Sequence, residues 1–215
     1  MNEKELIASR AAALLQPGWV VNLGIGIPTM VTRFVNPDAF CFQTENGMLG
    51  VGPPPEKDRV DPNLVDAGKR PVTERQGASF FDSATSFAMI RGGHVDAVIL
   101  GALQVDEKGR VANWAIPGEP VLGVGGAMDL MSGARNVIVV MTHNAKDGAP
   151  KLVRECSLPL TSLRPVTWVV TELATIRVDE SGLSLVECAP GASIDAVRAR
   201  TSARFREGAL LGSNT

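Results

Sequence analysis

Glu45 stands where an apolar run meets a loop of glycines and prolines, and a carboxylate there can do covalent chemistry. Phe40-Cys41-Phe42 reads as a buried strand that ends near Glu45. Asn46-Gly47-Met48-Leu49-Gly50-Val51-Gly52 follows, then Pro53-Pro54-Pro55. That density of glycine and proline predicts that neither helix nor strand continues, and that the backbone turns sharply against a neighbour. An ionised carboxylate can attack an activated acyl group where water is kept out. The plainer reading is a solvated glutamate before an Asn-Gly turn. This segment alone leaves both readings open.

Two other loops offer bare backbone amides. Gly24-Ile25-Gly26-Ile27-Pro28 follows an apolar strand at 19–23 and opens a helix that Thr29 is expected to cap, running to about Phe34. Gly125-Gly126-Ala127 leads into a second helix. Amides at such turns can hold an anion or an oxyanion, or can simply allow tight packing. The first loop is not a dinucleotide fingerprint, because Pro28 intervenes and the third glycine is absent; no Walker lysine follows. Asn22, taken alone, reads as a polar strand-end residue satisfying nearby backbone. One candidate nucleophile and two amide-rich loops make a parts list for acyl transfer. His94 and His143 are far apart and lack acidic or cysteine neighbours at ligand spacing, which argues against zinc or iron. A dispersed Ser–His–Asp triad stays open, although no G-x-S-x-G elbow is present.

These groups need a framework. The chain has 215 residues and a net charge of −2, which suits one large domain over 1–215 and points away from nucleic acid. No apolar run is long enough for a membrane span, and the charged N-terminus lacks a signal-peptide apolar region. Cys41, Cys156 and Cys188 are odd in number and widely spaced, so we expect small buried thiols in a reducing cytoplasm. The pattern predicts a helix over 3–16 and an irregular, functional loop over 53–70. A helix from Asp82 to Arg91 and a continuous central strand over 96–105 come next, with a return strand at 111–114. A strand at 136–141 precedes a hairpin of 166–178 with 183–188. A final helix is expected from Ser193 to about Phe205, with the Arg198–Arg206 cluster on its solvated face. The fold class is α/β, a mixed β-sheet with helices packed on its faces.

Five segments, taken together, resemble the B-type chain of the family I coenzyme A transferases over nearly the whole length. They are residues 21–29, 45–53, 87–94, Ala112-Asn113-Trp114 and 125–130, in matching order and spacing. The resemblance implies a scaffold related to that of sugar-phosphate isomerases. It implies that Glu45 is the nucleophile, with Thr44 where the family usually has serine. Asn22 would help position the substrate, and Gly24, Gly26, Asn46, Gly47, Gly126 and Ala127 would contact substrate or CoA. His94 and Asp129 are expected to be structural. The implied reaction passes through a mixed anhydride and a glutamyl-CoA thioester, with no metal and no permanently bound cofactor; coenzyme A is a substrate. The donor would be succinyl-CoA or acetyl-CoA and the acceptor a 3-oxo acid such as acetoacetate, with a 3-oxoadipate enzyme as the alternative. An A-type subunit is the implied partner in an A2B2 hetero-oligomer, on a separate chain because this one ends at Thr215. A sugar-phosphate isomerase-like enzyme and a non-catalytic acyl-CoA-binding protein are more distant alternatives.

Overall fold

A computed structural model describes residues 1–120 and 123–208. Five helices occur in it: α1 (Glu3–Ala12), α2 (Ile27–Met30), α3 (Ser83–Arg91), α4 (Ala127–Gly133) and α5 (Ile194–Ala199). The strands are β1 (Val20–Leu23), β2 (Cys41–Thr44), β3 (Met48–Val51), β4 (Glu74–Phe80), β5 (Ala97–Gly101), β6 (Gln104–Asp106), β7 (Val111–Ala112), β8 (Asn136–Val140), β9 (Leu152–Val153), β10 (Trp168–Val170), β11 (Ala174–Asp179), β12 (Gly182–Cys188) and β13 (Phe205–Glu207). Ten of them form one mixed sheet in the order β13-β12-β11-β10-β8-β5-β1-β2-β3-β4. Its centre, β2-β1-β5-β8-β10, is parallel. A second sheet has the order β7-β6-β9.

Alternation along the central strands explains the layers. Val21, Ala97, Ile99, Ile138 and Val140 bury against Ile7, Ala8 and Ala11 of α1 on one face. Val98, Leu100, Val137 and Val139 bury with Ile90 of α3 and Leu130 of α4 on the other. Side chains two apart share a face, so a parallel sheet covered on both sides needs nearly continuous apolar strands. The α/β class with helices on both faces of a mixed sheet is therefore what the chain adopts.

Local expectations fail where a neighbour or a single side chain decides. The first helix stops at Ala12, because the approach to Pro17-Gly18 tightens into three-residue turns at Leu14 and Leu15. Gly26, not Thr29, caps α2. Pro28, lacking an N–H, suits the first turn and pulls the helix start forward, so the Thr29 hydroxyl donates back to the Gly26 carbonyl at 2.8 Å. A strand does continue past Gly47: β3 pairs antiparallel with β2 and with β4, an edge strand the sequence pattern did not reveal. The glycines are absorbed by a register shift between Leu49 and Val51. The run 96–105 splits, because β5 belongs to the large sheet and β6 to the small one.

The run 166–178 also splits. Thr171 closes a turn there, its hydroxyl oxygen accepting from the Leu173 and Ala174 amides at 3.2 and 3.0 Å. Ser193 does cap α5, but that helix ends at Ala199, and Phe205 lies in β13. The three cysteines are free and half-buried rather than buried. Burial pushes the Cys156 thiol up to about 11. No helix among the described residues is long and apolar enough to cross a membrane.

Candidate active site

The register of β1 and β2 sets the first two side chains. Asn22 lies opposite Gln43 in the parallel pair, and Val21 opposite Phe42. Val21 and Phe42 fill the core under α1, which sends Asn22 and Gln43 to the opposite face. Glu45, two residues beyond Gln43, emerges on that same face at the end of the strand. Asn22 Nδ2 donates to Glu45 Oε2 at 3.0 Å and to Gln43 Oε1 at 2.7 Å. Gln43 Nε2 donates to the Ser86 hydroxyl of α3 at 2.9 Å.

The turn that presents Glu45 is a three-residue hairpin loop, with the Gly47 amide donating to the Thr44 carbonyl at 3.0 Å. Gly47 has φ +123°, and a Cβ there would sit 2.1 Å from the Phe81 carbonyl oxygen. The 53–70 loop braces the same turn. Thr44 Oγ1 donates to Asn46 Oδ1 at 2.6 Å and accepts from the Ala67 amide at 2.9 Å. Asn46 Nδ2 donates to the Val65 carbonyl at 2.9 Å.

In front of Glu45 lies a cavity of about 440 Å³ at the carboxyl ends of β1 and β5, where the parallel order runs outward in both directions. Open α/β sheets bind ligands at such switch points. Leu100, Leu103 and Leu130 form apolar wall, and Asn113 supplies a polar patch. Glu45 is the one ionisable side chain in the lining among the described residues. Both glycine loops line the cavity, through Gly24 and through Gly125, Gly126 and Ala127. A Cβ at Gly126 would lie 3.3 Å from Glu45 Cγ and 3.3 Å from the Phe87 ring, so this loop packs directly on the carboxylate's stem. Gly24 is needed for a close approach to β5, since a Cβ there would meet Leu100 at 3.0 Å.

The amides of the two loops differ. The Gly24 N–H is taken by the Ile99 carbonyl at 2.8 Å, whereas those of Gly125 and Gly126 find no acceptor among the described residues. Backbone amides left without an acceptor beside a carboxylate are the kind of donor an oxyanion can use.

A coenzyme A transferase family profile matches residues 4–200. The chain belongs to the coenzyme A transferase family. The beta chain of the acetate CoA-transferase of Escherichia coli K12 is 49% identical, over 99% of this chain and 98% of its own length. The B-type chain of the succinyl-CoA:3-ketoacid coenzyme A transferase of Helicobacter pylori strain 26695 is 48% identical, over 94% of this chain and 98% of its own. This chain is accordingly a beta-type component of a CoA-transferase. An acyl-CoA transferase apoenzyme from Escherichia coli O157:H7 shares the fold, with TM-score 0.79 and 24% identity over 98% of this chain. The chain spans 42% of that solved chain.

Within this CoA-transferase fold, Asn22, Gly24, Glu45, Gly126 and Ala127 converge on one cavity or its wall. Gly26 is exposed as the cap of α2, and Asn46 and Gly47 shape the turn outside the cavity lining. Asp129 pairs with Arg91 at 2.7 Å, tying α4 to α3, and His94 is exposed. Among the described residues no three His, Cys, Asp or Glu side chains group as a metal site. Sequence reasoning overlooked Gln43, Ser86 and Phe87. The available signal was a glutamine inside an apolar strand, which must find a partner when buried.

Proposed function

We propose that this protein transfers CoA through a covalent intermediate on Glu45. The supporting observation is a carboxylate, held by Asn22, that is the one ionisable group among the described residues of a cavity lined by leucines, glycines and Asn113. The carboxylate attacks the thioester carbonyl of an acyl-CoA, expelling CoA thiolate and leaving a mixed acyl–glutamyl anhydride. The thiolate then attacks the glutamyl carbonyl, releasing the donor acid and forming a glutamyl-CoA thioester. An acceptor carboxylate attacks that thioester, and the two steps run in reverse. The Gly125 and Gly126 amides stabilise the tetrahedral oxyanions, and the leucine walls keep water from both labile acyl groups. Binding of the remote CoA body drives the attack. CoA enters as a substrate, and the carboxylate supplies the covalent step without a resident cofactor.

The substrates are a short-chain acyl-CoA donor, succinyl-CoA or acetyl-CoA, and a 3-oxo acid acceptor such as acetoacetate. The small, uncharged pocket beside Glu45 supports short chains, and 3-oxoadipate is the competing acceptor. The partner is an A-type subunit, as the beta and B designations of the relatives suggest, and the assembly we propose is A2B2. Residues 1–215 act as one domain, with residues 121–122 and 209–215 outside the described part. Three unpaired thiols fit a reducing cytoplasm.

The test incubates the complete enzyme with donor and no acceptor. Intact mass should show one CoA on this chain, removed by hydroxylamine and discharged by an acceptor acid. Borohydride should mark the peptide containing Glu45. Glu45→Gln should lose at least about four decades of turnover, on the order of 5 kcal/mol of barrier. Normal turnover by that variant, or an adduct on a cysteine, would refute the assignment. An isomerase or a passive binding protein would form no adduct. A panel of donors and acceptors then identifies the substrates.

A further inference from the structure

Glu45 is the visible end of a chain of buried polar side chains. Asn22, Gln43 and Ser86 are 1%, 3% and 0% exposed, and they link β1, β2 and α3. The chain has a direction. Asn22 Nδ2 carries two hydrogens, and both are committed, one to Glu45 and one to Gln43. Turning that amide over would aim Oδ1 at the Glu45 carboxylate and at Gln43 Oε1, oxygen against oxygen. Yet in the observed orientation Asn22 Oδ1 is buried with no hydrogen-bond partner. A buried carbonyl without a donor is destabilising. The orientation that serves Glu45 thus persists although it leaves the asparagine's own acceptor unmet.

Gln43 is what holds it. Its Oε1 takes the second Asn22 hydrogen at 2.7 Å, and its Nε2 is anchored on Ser86 of α3 at 2.9 Å. A glutamine between Phe42 and Thr44 contributes little to packing that an apolar residue would not. Its two bonds are the feature an apolar residue would lack. In a low-dielectric interior each of those two bonds is electrostatically stronger than in water.

We infer that Gln43 and Ser86 are positioning residues: through Asn22 they hold the Glu45 carboxylate in the geometry for attack on the acyl carbon. The inference rests on Glu45 being the nucleophile.

The test uses the enzyme assembled with its A-type partner. Gln43→Met keeps length and removes both bonds; kcat should fall about 10- to 100-fold while KM for acyl-CoA moves less than about threefold. Single-turnover loading of CoA onto Glu45 should slow by the same factor. Ser86→Ala should cost less, about 3- to 10-fold, and the double variant should be no slower than Gln43→Met alone, because both act through one chain. Losses that multiply, or a lowered melting temperature with kcat unchanged, would overturn the inference. If Gln43→Met does not assemble, a normal loading rate in Ser86→Ala overturns it equally. Normal turnover by Glu45→Gln would instead remove the reading beneath it.

Discussion

His143 shows how one buried side chain couples folding to pH. Its ring lies between Thr171 and Thr201, with Nδ1 2.9 Å and Nε2 2.8 Å from their hydroxyl oxygens. Thr201 already donates to the Val197 carbonyl at 2.7 Å, so it accepts from the ring and Nε2 carries the hydrogen. Thr171 accepts the Leu173 and Ala174 amides, and its hydroxyl donates to the Ala174 carbonyl at 3.3 Å. Both ring nitrogens thus lie within hydrogen-bond distance of a hydroxyl oxygen. Burial, with the Arg200 charge adding to it, pushes the pKa from 6.5 to about 4. Between those values the unfolded chain binds more protons than the folded one. This contribution is therefore complete above pH 6.5 and is lost as pH falls toward 4, by up to about 3 kcal/mol. Urea midpoints should drop between pH 7.5 and 5, and the drop should shrink in His143→Gln; an equal drop in both would discount the residue. At Gly126 the expected effect is catalytic. Gly126→Ala places a Cβ 3.3 Å from Glu45 Cγ, displacing the carboxylate, and kcat should fall about tenfold or more with assembly intact.

At the scale of elements, the Glu45 hairpin shows what the sequence can and cannot reveal. A local rule reads three glycines and three prolines as the end of regular structure. β3 forms regardless, because β2 and β4 on either side supply the hydrogen bonds its own residues do not advertise. The same logic hides the break between β5 and β6, since periodicity cannot tell which sheet a strand joins. Elements governed by their own residues were legible: α3 from its helical pattern up to Arg91, the start of α5 from Ser193, and β8 from its valines. In the site, Glu45, Asn22 and Gly126 could be named through the family resemblance, while the Gln43–Ser86 link depends on α3 packing over β2 and left no trace in spacing. The turn itself is open to test. Gly47→Ala would force a Cβ to 2.1 Å from a backbone oxygen at φ +123°, so we expect about 2 kcal/mol or more of destabilisation and slowed loading of Glu45. Unchanged melting and loading would show that the hairpin can re-form around alanine.

At the scale of the molecule, Ile25 of the first glycine loop lines the cavity and is 69% exposed, and Met128 in the first turn of α4 is 49% exposed. Apolar side chains at the mouth of a site mark a surface that a partner covers. The isolated chain should be inactive; adding the A-type chain should restore transfer and raise the melting temperature through mass action. Full activity without it would end that view. The cavity's lone carboxylate also has a consequence for chemical labelling. To a small electrophile, the chamber offers one ionisable side chain among the described residues. Cys41, Cys156 and Cys188 all lie off its lining. A diazoacetamide that enters should esterify Glu45, with activity falling in step with that one label and a saturating acyl-CoA giving protection. Iodoacetamide should decorate the outside and leave transfer running. An acyl-CoA mimic carrying a carboxyl-seeking warhead would then report occupancy of this chain's site by mass alone, in a mixture of proteins, before any substrate is known.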